Sequence, residues 1–214
     1  MSKVQVDTID TRSGTSTMQI GSTNTSTINL GVSGDTVNIP SGVTFANAGT
    51  ASGFSSIAMT TVRLTSTYTI SSTSTWEYFT ANLSNTMTSP SGSANLGSVV
   101  TISSGIFSFP STGYWLVGMN LYCFRDGDNW DQGYGRADVT TNNSSYNQFI
   151  EIAASVNAGS GSRETVMNGQ GLIDVTDTSN VKVKFAIYSG APIKVMGQSG
   201  RNATYFTFLK LADT

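Results

Sequence analysis

The sequence predicts an all-β protein, a thin N-terminal β shaft followed by a C-terminal sandwich or barrel. Three observations carry this prediction. A repeat of hydroxyl residue, apolar-polar-apolar triplet and turn former recurs near the N-terminus, long stretches further on alternate strictly between apolar and polar, and no amphipathic helix stands out.

The repeat runs Ser16-Thr17-Met18-Gln19-Ile20-Gly21, then Ser26-Thr27-Ile28-Asn29-Leu30-Gly31, then Asp35-Thr36-Val37-Asn38-Ile39-Pro40. Each unit is a short strand with one buried face, closed by a Gly or Pro turn. Two buried side chains supply roughly 3–6 kcal/mol per unit, whereas ordering ten residues costs on the order of 10–20 kcal/mol. A single copy should not fold alone. Three copies wound about one axis would bring the apolar faces together and give the strand edges partners. Residues 1–50 are therefore expected to form an intertwined trimeric shaft, the alternative being a disordered Ser/Thr/Gly linker. Residues 51–57 are small and Gly-rich and mark a junction, and residues 58–214 form the head.

Within the head, Trp115, Val117, Met119, Leu121 and Cys123 present one apolar face of a strand, with Gly118, Asn120, Tyr122 and Phe124 on the other. Val181, Val183, Phe185 and Ile187 alternate with Lys182 and Lys184, which places that strand at a solvated face. The last strand, Tyr205 to Leu211, is apolar on both sides and is expected to pack against its own sheet and against partner chains.

Composition narrows the function. Only 11% of the residues are charged, against about 25% in an ordinary soluble domain, and 31 serines and 30 threonines take over hydration. That suits an extracellular or virion surface better than a cytosolic enzyme. The net charge is −2 with scattered basic residues, so nucleic-acid binding is not expected. There is no histidine, which excludes imidazole bases, Ser-His-Asp and Cys-His arrangements and His-containing zinc sites. Cys123 is the single cysteine and reads as a buried, inert thiol. No apolar run approaches the ~18 residues of a membrane span, and the opening residues lack the basic and apolar regions of a secretory signal. Neither a cofactor nor membrane insertion is expected.

One segment offers chemistry. Asp126, Asp128 and Asp131 crowd what reads as a single loop with Trp130, and Tyr134 follows. An exposed aromatic beside carboxylates can stack on a sugar while the carboxylates accept its hydroxyls, so these five residues are the candidate glycan- or receptor-contacting set. The alternative is that Trp130 plugs the edge of the sandwich. Asp126, Asp128 and Asp131 are also candidate calcium ligands, but the segment departs from the EF-hand pattern and reads more simply as a solvated acidic turn. Glu77, Glu151 and Glu164 are scattered and read as surface charges, so no catalytic residues are assigned and the protein is expected not to be an enzyme.

Two resemblances extend this reading. Gly105-Ile106-Phe107-Ser108-Phe109-Pro110 with Gly113-Tyr114-Trp115 resembles the Gly-x-Phe-x-x-Pro…Gly-x-Tyr segment of the complement one-q and tumour-necrosis-factor family. Thr204 to Leu211 resembles that family's closing strand, and Trp76-Glu77-Tyr78-Phe79 an early one. The resemblance implies a ten-stranded antiparallel jelly roll in a threefold trimer, with the β repeat replacing a collagen stalk. Lys3 to Gly14, with the Ser/Thr-rich repeats after it, resembles the N-termini of bacteriophage tail-fibre and other virion surface proteins.

Together these imply a homotrimeric virion protein, made in the host cytoplasm. Its N-terminus would dock on another virion protein and its head would meet a host glycan or protein receptor. A capsid head fibre or decoration protein is the alternative, and a secreted lectin-like module a third reading. The expected trimer interface comprises Met18, Ile20, Ile28, Leu30, Val37, Ile39, Tyr122, Phe124, Phe206 and Phe208.

Overall fold

A computed structural model describes residues 20, 24, 26–30, 32–44, 57–71, 74–86, 94–126, 130–156 and 162–214, with the backbone alone for Asp126, Trp130, Asp131, Val156 and Ser162. The chain divides into two units, Met1–Ala51 and Ser52–Thr214.

In the first unit the described residues contain turns but no strand. The Asp35 N–H donates to the Val32 carbonyl at 3.0 Å, and the Val43 N–H to that of Pro40 at 3.2 Å. Ile20, Ile28, Leu30, Val37 and Ile39, expected on a trimer axis, are exposed in the single chain, and Met18 lies outside the described residues. Apart from Ile20, the first repeat unit lies outside the described residues, and residues 26–30 and 35–40 form no strand in the single chain. The physical reason is that an isolated unit of this length finds neither a ladder partner nor a surface for its two apolar side chains.

The second unit carries thirteen strands among its described residues. They are β1 (Ala58–Leu64), β2 (Ser66–Ile70), β3 (Trp76–Tyr78), β4 (Leu83–Ser84), β5 (Thr101–Ser103), β6 (Ile106–Ser108) and β7 (Gly113–Asp126), then β8 (Trp130–Thr140), β9 (Asn147–Val156), β10 (Ser162–Val175), β11 (Lys182–Ser189), β12 (Ile193–Gln198) and β13 (Tyr205–Ala212). The number exceeds the ten expected because turns cut the region before Gly113 into short pieces. Asn82 precedes β4 at φ 59°, and Ser104 and Gly105 separate β5 from β6 at φ 48° and 76°.

All pairings are antiparallel, and they make two sheets. Sheet one runs β2-β12-β7-β13-β1-β4, with β10 also paired to β7. The 14-residue β7 pairs with β10 along its whole length, from Gly113↔Val175 to Asp126↔Ser162, and shares its other edge between β13 and β12. Sheet two runs β5-β6-β11-β8-β9, with β3 also paired to β11.

The inward faces close as expected. Trp115, Val117, Met119, Leu121 and Cys123 of β7 are buried, as are Val181, Val183, Phe185 and Ile187 in and just before β11. Aromatic rings join the two sheets: Phe185 of sheet two stacks on Phe206 of sheet one at 4.1 Å, and Phe107 stacks on Phe208 at 5.4 Å. This corrects one expectation. Phe206 and Phe208 are completely buried in the chain's own core and cannot meet a partner. Their register explains why, since Phe206 lies opposite Met119 and Phe208 opposite Val117, both on the inner face of β7. The other face of β13, with Tyr205, Thr207, Leu209 and Leu211, is the one that looks outward.

Candidate functional site

The two sheets present different outer faces. On sheet one, half-exposed Tyr122 and Phe124 share the outer side of β7 with Tyr114 and Leu116. Val166 and Leu172 of β10 and Leu211 of β13 remain exposed by 51%, 53% and 48%. At the centre, a depression of about 450 Å³ lies over Gly118, walled by Asn120, Asn168, Gln170, Tyr205 and Thr207. Charges on this face stand near the two ends of β7, Glu164 and Lys194 opposite Phe124 and Asp174 opposite Tyr114. Glu164 takes a hydrogen bond from the Tyr122 hydroxyl, which helps to push that phenol's pKa up.

Sheet two carries a different pattern, set by register. Tyr188 of β11 lies opposite Trp76 of β3 on one side and Tyr134 of β8 on the other, so three aromatics form a row across three strands. Ring centroids are 5.6 Å apart for Trp76 and Tyr188, and 5.7 Å for Tyr188 and Tyr134. Two residues along, the next row is Tyr78, Ala186, Arg136 and Glu151. Ala186 is small enough for Arg136 to reach across it: the guanidinium sits 4.1 Å from the Trp76 ring centroid, and Nη2 donates to the Tyr78 hydroxyl at 2.9 Å.

A buried ion pair anchors this arrangement. Arg136 Nε lies 2.9 Å from Asp138 Oδ1, and the Tyr78 hydroxyl donates to Asp138 Oδ2 at 2.5 Å. Burial first, and then the hydrogen bond to Asp138, push the Tyr78 phenol's pKa up. Lys184 completes the cluster, its ammonium 4.0 Å from the Tyr146 ring centroid and 5.6 Å from that of Tyr78. The indole of Trp76 is therefore held in place by a cation that is itself fixed.

Two cavities adjoin the aromatic row. One of about 300 Å³ is lined by Trp76, Tyr134, Tyr188 and Glu151. Another of about 390 Å³ is lined by Gln132, Gly133, Tyr134 and residues 153–155 of β9. Tyr134 belongs to both.

Of the five residues singled out in the sequence, Tyr134 thus joins a site, though with other partners than expected. The segment from Asp126 to Asp131 is not one loop. Asp126 ends β7 and Trp130 and Asp131 begin β8, because β10 and β9 supply ladder partners that far, Ser162 to Asp126 and Val156 to Trp130. The side chains of Asp126, Trp130 and Asp131, and all of Asp128, lie outside what is described. Among the described residues no group of three Cys, Asp or Glu is placed to hold a metal ion. Glu77, Glu151 and Glu164 are far apart, and Glu77 departs from the expected surface charge: it lies opposite Ile187 on the inner side of sheet two and is half-buried, whereas Glu151 opposite Arg136 on the outer side and Glu164 on sheet one are exposed. Trp76, Tyr188, Arg136 and Glu151 were not foreseen as a group, and their only sequence signal was aromatic or charged residues at outward positions of separate strands.

No family model and no curated protein sequence matches the chain. Among solved structures, murine APRIL at pH 8.0 is similar with a TM-score of 0.51 and 10% identity, over 73% of this chain and 100% of that one. Murine APRIL at pH 5.0 gives 0.52 and 9% over the same shares, and Eiger TNF from S. frugiperda gives 0.51 and 14% over 74% and 93%. At these identities the likeness is one of fold, a two-sheet jelly-roll sandwich of the TNF and APRIL kind.

Proposed function

We propose that the chain is a homotrimeric virion surface protein, a bacteriophage tail fibre or spike that mediates host attachment. The observation that supports this is the outer face of sheet one, where Tyr114, Leu116, Phe124, Val166, Leu172, Leu209 and Leu211 gather between the charges at the ends of β7. Apolar surface of this extent on a hydroxyl-rich protein favours burial against a partner, and the trimeric jelly-roll resemblance makes two further copies the natural partners. The N-terminal repeat suits the same arrangement, since its exposed Ile28, Leu30, Val37 and Ile39 lack any cover in one chain. In the assembled particle the N-terminus docks on another virion protein, and sheet two is left free for the host. Location on the capsid, as a head fibre or decoration protein, is the alternative use of the same trimer.

Native mass spectrometry of the full chain tests the assembly. A three-chain species at micromolar concentration is expected, and a folded monomer there overturns it. Immunogold labelling of purified particles then separates tail from capsid, and absence from particles removes both.

A further inference from the structure

We infer that the aromatic row of sheet two is a binding site for a neutral oligosaccharide, with Trp76, Tyr188 and Tyr134 forming an aromatic wall against which its sugar rings pack. The inference deepens the attachment reading and rests on it only for the ligand's place on a cell surface.

Four features carry it. Neighbouring rings stand 5.6 and 5.7 Å apart and are tilted by 53° and 63°, so they pack against one another into one angled aromatic wall across three strands. The rings are half-buried, so each is fixed by its neighbours yet still lines a cavity. Glu151 at the rim is an exposed carboxylate that accepts sugar hydroxyls and repels acidic sugars. Finally, the row continues through Tyr134 into the second cavity, where Gln132 and Ser155 supply polar groups for a further unit. An apolar platform beside a few convergent polar groups is the usual composition of a saccharide site.

A compact organic cation is the competing occupant, because aromatic rings with a carboxylate also suit a quaternary ammonium. Two observations favour the sugar. Arg136 already lies over the Trp76 ring and takes up the ring face that a further cation would need. The two cavities, about 390 and 300 Å³, also share Tyr134 and together offer more room than one ammonium group needs. Arg136 is a positioning residue here, holding the indole.

The test uses the full chain and titrates maltohexaose, cellohexaose, chitohexaose and a galacto-hexaose, with choline chloride alongside, followed by calorimetry. At least one hexaose is expected to bind, with Trp76→Ala and Tyr188→Ala each weakening it about tenfold or more. Tyr188→Phe keeps the ring and retains binding, which guards against a variant that merely misfolds, and Glu151→Gln weakens binding without altering the thermal transition. Failure of every hexaose to bind, binding unchanged in Trp76→Ala and Tyr188→Ala, or choline binding with no sugar binding each overturns the inference. Oligomeric state measured on the same samples keeps the two readings apart. A monomer that binds sugar defeats the trimer alone, and a trimer that binds none defeats the glycan site alone.

Discussion

Replacing Arg136 by Ala removes the guanidinium from a carboxylate that cannot reach water. The Asp138 side chain is only 5% exposed and that of Arg136 18%, with 2.9 Å between the charged atoms. Without Arg136, Asp138 keeps the Tyr78 hydroxyl and has Lys184 opposite it across the ladder, and breaking a buried pair in this way costs about 3–5 kcal/mol. Asp138→Ala should cost less, about 2–3 kcal/mol, because the guanidinium is the more exposed partner and keeps the face of Trp76, a contact worth about 1 kcal/mol. The double variant carries no stranded charge and should lose about 3 kcal/mol, from lost packing and the unpaired Tyr78 hydroxyl. The expected coupling is then about 2 kcal/mol or more. Urea unfolding followed by tryptophan fluorescence measures all four proteins, and an unchanged m-value keeps the comparison valid. A coupling below about 0.5 kcal/mol would refute the claim that this ion pair holds the aromatic row.

Three other outcomes follow from the structure. Burial pushes the Cys123 thiol up to about 12 from an ordinary value of 9.0, so the folded state resists deprotonation that the unfolded chain allows. Stability should be intact below about pH 9 and fall by up to about 4 kcal/mol as the pH rises toward 12; the raised phenols of Tyr68, Tyr78 and Tyr146 act in the same direction, and Cys123→Ala should flatten the alkaline limb in pH-resolved melts. Gly105→Ala drives a methyl into the Phe79 carbonyl at φ +76°, so it should lower stability by at least about 2 kcal/mol, whereas Gly200→Ala, with nothing within 4 Å, should stay within about 0.5 kcal/mol on thermal unfolding. Leu172→Glu removes from each chain roughly 1 kcal/mol of burial available to an assembly, about 3 kcal/mol per trimer, so sedimentation velocity should show dissociation at about a tenfold higher concentration than the parent, since the midpoint of a three-chain equilibrium follows the square root of its constant; an unchanged trimer would mean that this part of the face is not the interface.

Strands whose apolar period is two were legible in the sequence, and the inward residues of β7 and β11 are the ones alternation picks out. The last strand shows where that reasoning stops. Both faces of β13 are apolar, so the pattern cannot say which one is core, and only its register against β7 assigns Phe206 and Phe208 inward and Tyr205 and Leu209 outward. The N-terminal repeat was visible as a pattern, but the fold it takes depends on partners that one chain does not contain. The aromatic row was the least legible part. Trp76, Tyr134 and Tyr188 come from separate stretches, and nothing local to any of them shows that β3 and β8 flank the same end of β11. The acidic cluster drew attention because its residues are adjacent in the chain, whereas the site that forms is adjacent across the ladder.

The pairing of β1 with β13 has a practical consequence. Ala58 lies opposite Lys210, so the second unit's first strand begins where its last strand ends, at one corner of sheet one. A peptide or reporter fused after Ala212 emerges beside the point where the chain enters β1. A short linker joining the two ends would therefore close this unit into a ring, which a new opening at the exposed bend of residues 141–144 would turn into a circular permutant with every sheet pairing retained.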